Sequence, residues 1–381
     1  MDSEVQGAGA GAPGVSMATT NTPAPAPTSG DGIRWVFLGP QGMRAGWSTA
    51  IFFAILIGLL IVLSAAAGLI AKAVLHKTFT AGSGSTPLRA IFGETALLAS
   101  AIGAAAIMAV IEKRRVLDYN LTGPHRVSRF FSGLVAGFAA LSALIGAMSL
   151  GGWMHFGPVA LSGGQIFYYA ALWGFGFLLV GFTEEGICRC YLQFTLTRGI
   201  NFWWALGLVA VMCASLLRFK GQDVWGVYGF ALLGLLPCLW LYLRKSPNNQ
   251  FWQATWATST FFGFMHTGNN GENWIGIFAA ALIGFVFCAS IWVTGSAWWA
   301  IGCHVAWDWA ETYFYGTADS GLPAKGHLLT TAPAGSVMWS GGSDGPEGSL
   351  LVLPIIVLLL IAVLVQYRRG KSAPLETVTA V

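Results

Sequence analysis

The sequence predicts an all-α fold, a polytopic membrane helical bundle of about eight to ten transmembrane helices, and three observations carry that expectation. Only 9% of the 381 residues are charged while 55% are hydrophobic, against roughly 25% charged in an ordinary soluble domain. Apolar runs long enough to cross about 30 Å of hydrocarbon recur from Trp47 onward. Tryptophans stand near the ends of those runs, at Trp47, Trp203, Trp225, Trp252, Trp274 and Trp298, where an indole sits at headgroup level. The formal charge of +4 is spread along the chain without a basic block, so nucleic-acid binding has no support.

Taken in order, residues 1–45 read as a disordered cytoplasmic tail, because the first 30 or so are dominated by Ala, Gly, Pro, Thr and Ser and contain no Lys or Arg. Without a basic n-region and short apolar h-region, the first apolar run reads as a retained span rather than a cleaved leader. The predicted spans cover 47–71, 88–111, 130–151, 165–183, 201–217, 224–243, 252–266, 273–293, 296–315 and 350–367. The seventh is short for a full crossing. Residues 46–129 form an N-terminal group of helices, 130–315 a core, 316–349 an external Gly-rich loop, and 350–381 a last helix with a short basic tail. That last span is expected to be an appended anchor outside the functional core. Gly133 and Gly137 allow close helix packing. Six cysteines fall in or beside apolar segments and read as small buried hydrophobes rather than a disulfide framework.

With the N-terminus in the cytoplasm, 14 of the 20 Lys and Arg residues fall on inside segments and six on outside ones. The contrast predicts that both termini face the cytoplasm.

A charge at mid-bilayer costs roughly 2.5–3.5 kcal/mol on insertion scales, so ionisable groups in such surroundings need partners, water or a use. The apolar segments retain Glu94, Glu184, Glu185, Arg189, His266, His304, Asp308 and Glu311. If 181–190 is helical, Glu185 and Arg189 stand at i and i+4 and can pair, whereas Glu184 points about 100° away. Phe262 lies one turn before His266, and His304 and Asp308 share a helix face. Each element alone has a plainer reading: an interfacial charge cluster, a packing histidine, a helix-to-helix hydrogen bond. Together they supply the ingredients of water activation beside a polarised carbonyl.

Glu184-Glu185-Gly-Ile-Cys-Arg189, Phe262-Gly-Phe-Met-His266 and His304-Val-Ala-Trp-Asp308 resemble, in order, the EExxxR, FxxxH and HxxxN/D motifs of the CPBP family, the CAAX-protease and bacteriocin-processing (Abi) intramembrane proteases. The resemblance spans roughly residues 130–315. It implies a CAAX-protease-like endopeptidase that cuts a membrane-associated or lipidated peptide substrate in contact with membrane lipid. By motif position Glu184 would be the general base, assisted by His266. His304 and Asp308 would stabilise the oxyanion, and Arg189 would hold the motif through Glu185, with Phe262 in support. Cys188 and Cys190 flank the arginine where the family often has Phe and Gly. Asp308 stands where close relatives of the prenyl-protein protease carry Asn; as an ionised Asp cannot donate to an oxyanion, it must be protonated, bridge through water or orient His304.

A metal-free, glutamate-type mechanism is favoured because no HExxH spacing is present; the alternative is a Zn2+ site of Glu184, His266, His304 and Asp308. The competing functions are a noncatalytic binding or immunity-type membrane protein and a proton-coupled transporter. The sequence gives neither the substrate nor the oligomeric state. A helix from 165 to 198 would be about 51 Å long, so a break is expected near Gly181 or Gly186, with a cavity opening towards the cytoplasm. Glu184 and His266 otherwise fall at opposite ends of their spans.

Overall fold

The computed structural model describes residues 32–39, 42–74, 86–220, 223–245, 248–269 and 271–367. Of the tail expected at 1–45, residues 1–31 lie outside the described residues, as does the basic end at 368–381, whereas 32–39 and 42–43 form regular structure instead of a disordered stretch. The chain is a polytopic helical bundle and a multi-pass integral membrane protein. Helix α1 (Gly32–Phe37) and the two-residue strands β1 (Leu38–Gly39) and β2 (Gly42–Met43) lead into α2 (Ala45–Val74), α3 (Pro87–Ile111) and α4 (Arg126–Leu150). Strand β3 (Met154–Val159) precedes α5 (Gly164–Glu185), which runs through a π-helical turn, Gly186–Leu192, into α6 (Gln193–Thr197). Helices α7 (Phe202–Lys220), α8 (Val224–Arg244), α9 (Asn249–His266), α10 (Trp274–Thr294) and α11 (Trp298–Trp309) follow. A second π turn, Ala310–Tyr315, ends α11; strand β4 (Leu329–Pro333), the short α12 (Val337–Ser340) and α13 (Val352–Tyr367) complete the order.

Each of the predicted spans falls on a helix. Among the described residues six helical stretches are long and apolar enough to cross a membrane, the longest being Gly164–Thr197 at 34 residues. Both α9 and α11 fall short of that standard, and they carry His266, His304 and Asp308. Here polar side chains dilute the hydrophobic signal.

The bundle is held most closely where α4 meets α11. A Cβ at Gly133 would collide with the Trp299 carbonyl, and one at Gly137 with that of Cys303. Gly302 of α11 reciprocates against the Phe130 carbonyl of α4. Only hydrogen side chains let the two backbones approach this far, which fixes the height of His304 in the bundle.

Three expectations change. The helix beginning at Gly164 does not break at Gly181 or Gly186; Gly186 starts a π turn that widens the helix without ending it. Such a turn frees backbone groups, and Asn120 Nδ2 donates to the Arg189 carbonyl at 2.7 Å. The 316–349 segment is more than a loop. It adds β4 antiparallel to β3, and its Asp344 accepts from the Asn273 amide at the start of α10 at 3.1 Å. Nor is α13 an outlying anchor: Ile355, Ile356 and Leu359 are buried in one core cluster with Phe287 of α10 and Cys303 of α11.

One end of the bundle carries the connections at 112–125, 197–201 and 294–298, with Asn120 accepting from the Ala297 amide and Leu121 from Trp298 Nε1. Tyr367 reaches Ser132 at 2.8 Å near this same end. The opposite end carries 266–273 and 316–349.

Candidate functional site

Glu184 and Glu185 are neighbours in sequence and occupy different environments. The Glu185 and Arg189 side chains are wholly buried, with Arg189 Nε 3.2 Å from Glu185 Oε2 across one helical turn. The Arg189 guanidinium lies 4.1 Å from the Phe262 ring centroid and 5.4 Å from that of Phe287. Its terminal nitrogens have no hydrogen-bond acceptor among the described residues; the ring faces provide attraction there instead. Gly284 of α10 leaves room for this packing, since a Cβ would stand 2.5 Å from Arg189 Nη2.

The second oxygen of Glu185 orients a histidine. His304 Nδ1 donates to Glu185 Oε1 at 3.0 Å, because a carboxylate can only accept there. His304 Nε2 is thereby turned the other way, 3.4 Å from Asp308 Oδ2 and 3.9 Å from Glu184 Oε2. The Glu184 side chain retains 31% exposure, against none for Glu185.

His266 ends α9. Its Nδ1 lies 2.8 Å from the Phe262 carbonyl, an acceptor, so Nδ1 carries the proton and Nε2 keeps its lone pair in the neutral ring. The Phe262 ring packs against both imidazoles, at 4.8 Å from His266 and 5.9 Å from His304. Phe262 thus supports Arg189 on one side and spaces the two histidines on the other.

A cavity of about 380 Å³ collects Glu184, His266, His304 and Asp308 into one lining. The separation of Glu184 from His266 suggested by span ends is bridged because α9 stops at His266 beside the cavity while α5 continues past Glu184. The lining also takes Glu94 from α3, Ile356 from α13 and Asp319, Ser320 and Glu347 from the 316–349 segment. It therefore extends beyond residues 130–315. The cavity lies towards the end that carries 266–273 and 316–349, opposite the end that carries Tyr367, so cytoplasmic termini and a cytoplasmic opening, both expected from the sequence, do not hold together. Asn269, Leu322 and Ala324 in its wall mark that end.

Sequence reasoning flagged Glu94 and Glu311 as ionisable groups in apolar runs without assigning them a place. It missed Asp319, Ser320 and Glu347 altogether, because they sit in a polar, Gly-rich stretch where acidic residues are ordinary. Burial pushes the Asp319 carboxyl up to about 7, and the neighbouring Glu347 charge adds to the rise.

The set Glu184, His266, His304 and Asp308 does not converge as a metal site. Among the described residues, the His, Cys, Asp and Glu group whose ligand atoms all lie within 4.8 Å of one another is Glu311, Asp319 and Glu347. Of the two His304 nitrogens one is engaged by Glu185, and the remaining one already faces two carboxylates.

A family model described as type II CAAX prenyl endopeptidase, Rce1-like, matches residues 238–310. That stretch contains Phe262, His266, His304 and Asp308, whereas Glu184, Glu185 and Arg189 precede it. The match is consistent with the CPBP and CAAX-protease resemblance and supports a peptidase of CAAX-protease type. No curated protein matches the chain, and no solved structure does.

Proposed function

We propose that the protein is an intramembrane endopeptidase that hydrolyses a peptide bond of a membrane-associated substrate with water activated by Glu184. The observation that carries this reading is the single cavity shared by the partly exposed Glu184, His304 Nε2 and His266. Glu184 takes the water proton, and the lone pair on His266 Nε2 helps to hold that water. The hydroxyl oxygen attacks the carbonyl carbon. A protonated His304 Nε2 donates to the oxygen that gains charge, while Glu185 fixes the ring through Nδ1. Asp308, one turn from His304 and 3.4 Å from its Nε2, orients that ring at the cavity face. Protonated Glu184 then returns its proton to the leaving amine, so the carboxylate is regenerated. Arg189, 3.2 Å from Glu185 Oε2, holds Glu185 in place as a positioning residue. No step passes through a metal.

The natural substrates for this chemistry are peptides held at the bilayer by a lipid or an apolar anchor. The test is cleavage by the purified chain in liposomes of three probes: a prenylated C-terminal peptide, an unmodified peptide precursor and a transmembrane anchor. Wild type is expected to cut at least one and Glu184→Gln none. Equal cleavage by both would remove Glu184 as the base, and no cleavage of any class by wild type would favour a noncatalytic protein. Full activity after exhaustive chelation would agree with the metal-free route, while loss restored by Zn2+ would overturn it.

A further inference from the structure

Beside the cavity, three acidic side chains come together with no Lys or Arg partner among the described residues. Glu311 lies in the π turn that ends α11, and Asp319 and Glu347 lie in the segment between α11 and α13. One carboxylate oxygen of each lies within 4.8 Å of the others. Among the described residues none of the three makes an ion pair with Lys or Arg. Neutral donors hold part of the cluster: Trp307 Nε1 donates to Glu311 Oε2 at 3.1 Å and to Glu347 Oε1 at 2.9 Å. Ser320 Oγ donates to Glu347 Oε2 at 2.7 Å, and Thr312 Oγ1 to Asp319 Oδ2 at 3.0 Å.

The remaining oxygen points to a ligand. Glu311 is wholly buried, and its Oε1 has no hydrogen-bond partner among the described residues. A buried carboxylate oxygen without a donor is costly, and two more acidic groups beside it increase that cost. Neutral hydroxyl and indole donors would not balance three ionised carboxylates, whereas a divalent cation would.

We propose that Glu311, Asp319 and Glu347 bind a hard divalent cation of the size of Ca2+. Calcium takes oxygen ligands at about 2.3–2.6 Å, so two oxygens on opposite sides of one ion stand about 4.6–5.2 Å apart. Oxygens within 4.8 Å can therefore reach one ion without backbone movement. Carboxylates alone, with no His or Cys, select a hard cation over zinc. Glu311 sits one turn beyond Trp307 on the helix that carries His304, whereas Asp319 and Glu347 belong to the cavity's outer wall. The ion would fasten that wall to the catalytic helix. This inference does not rest on the proposed hydrolysis, since binding is measured without a substrate.

Equilibrium dialysis of the full chain in detergent against radioactive Ca2+ measures the site directly. About one ion per chain is expected, with uptake that saturates and a thermal transition that rises with Ca2+. Asp319→Asn with Glu347→Gln should weaken uptake at least tenfold and abolish that thermal shift, while Glu184→Gln retains both. Tb3+ supplies a second readout: emission sensitised by Trp307 should fall several-fold in Trp307→Phe and be displaced by Ca2+. If the acidic variant does not fold, wild-type stoichiometry still decides. No saturable uptake at millimolar Ca2+ would overturn the proposal in favour of carboxyls that share protons. Uptake unchanged in Asp319→Asn with Glu347→Gln, or lost in Glu184→Gln, would move the ion elsewhere and overturn it too.

Discussion

The two faces of His304 are built on opposite principles. Behind Nδ1, Glu185 and Arg189 are fully buried, paired with each other and packed by the rings of Phe262 and Phe287. In front of Nε2, Glu184 and Asp308 face a cavity whose outer wall adds Asp319 and Glu347. The rear is dry and charge-balanced; the front is roomy and acidic. A buried, paired group is held in one state, whereas a partly solvated carboxylate can gain and lose a proton at modest cost. In the proposed mechanism this separates adjacent glutamates into one that positions His304 and one that reacts.

The largest effect expected from this contrast belongs to the front. Glu184→Gln keeps the shape and removes the proton acceptor, so turnover should fall about 10²–10⁴-fold, the usual range for a general base. Its thermal unfolding should barely change. Measuring cleavage and unfolding on the same preparation tests both halves, and a variant that loses stability in step with activity would erase the distinction between the faces.

At the rear the expected order is reversed. Arg189→Met leaves Glu185 buried without its cation, and breaking such a pair costs about 3–5 kcal/mol. Replacing both residues, Glu185→Leu with Arg189→Met, should recover much of that stability by removing both charges. Cleavage should remain low, because His304 Nδ1 has then lost its acceptor. Recovery of activity along with stability would show that Glu185 contributes nothing to orienting His304.

The same contrast separates what sequence could disclose from what it could not. Helix spans were legible because a bilayer demands long apolar runs, and a 100° step per residue was enough to divide Glu184 from Glu185. The outer wall was illegible. Asp319 and Glu347 gain their meaning from a fold-back onto Glu311 that involves no period and no motif. Likewise the π turn at Gly186 replaces a predicted break, since a widened helix and an interrupted one share the same glycine signal. The end of α9 at His266 was legible; the end of the 165–183 span was not, since α5 runs past Glu184 into the π turn.

A smaller effect should follow from changing the distance between the faces and their support. Gly137→Ala puts a methyl group against the Cys303 carbonyl, adjacent in sequence to His304. Overpacking of this kind costs about 1–3 kcal/mol. Unfolding temperature and turnover should both fall, the latter through displacement of α11. A matched substitution at Gly146, where a Cβ meets nothing within 4 Å, should leave both unchanged. Equal effects at the two positions would mean that close α4–α11 contact does not set the height of His304.

The smallest effect concerns an acidic residue outside the spans and beyond the cavity. Glu272 lies between α9 and α10, where burial pushes its carboxyl up to about 9, and the charges of Asp344 and Glu347 add to the rise. Because the folded value lies above the ordinary 4.5, its stabilising contribution is complete below that value and is lost as pH climbs through about 9. Glu272→Gln removes this titration. The unfolding temperature of wild type relative to the variant should therefore decline steadily from mildly acidic to alkaline pH and level off above about 9. A difference that is flat with pH would show that Glu272 is ionised in the folded protein, and that acidic crowding is confined to the cavity wall.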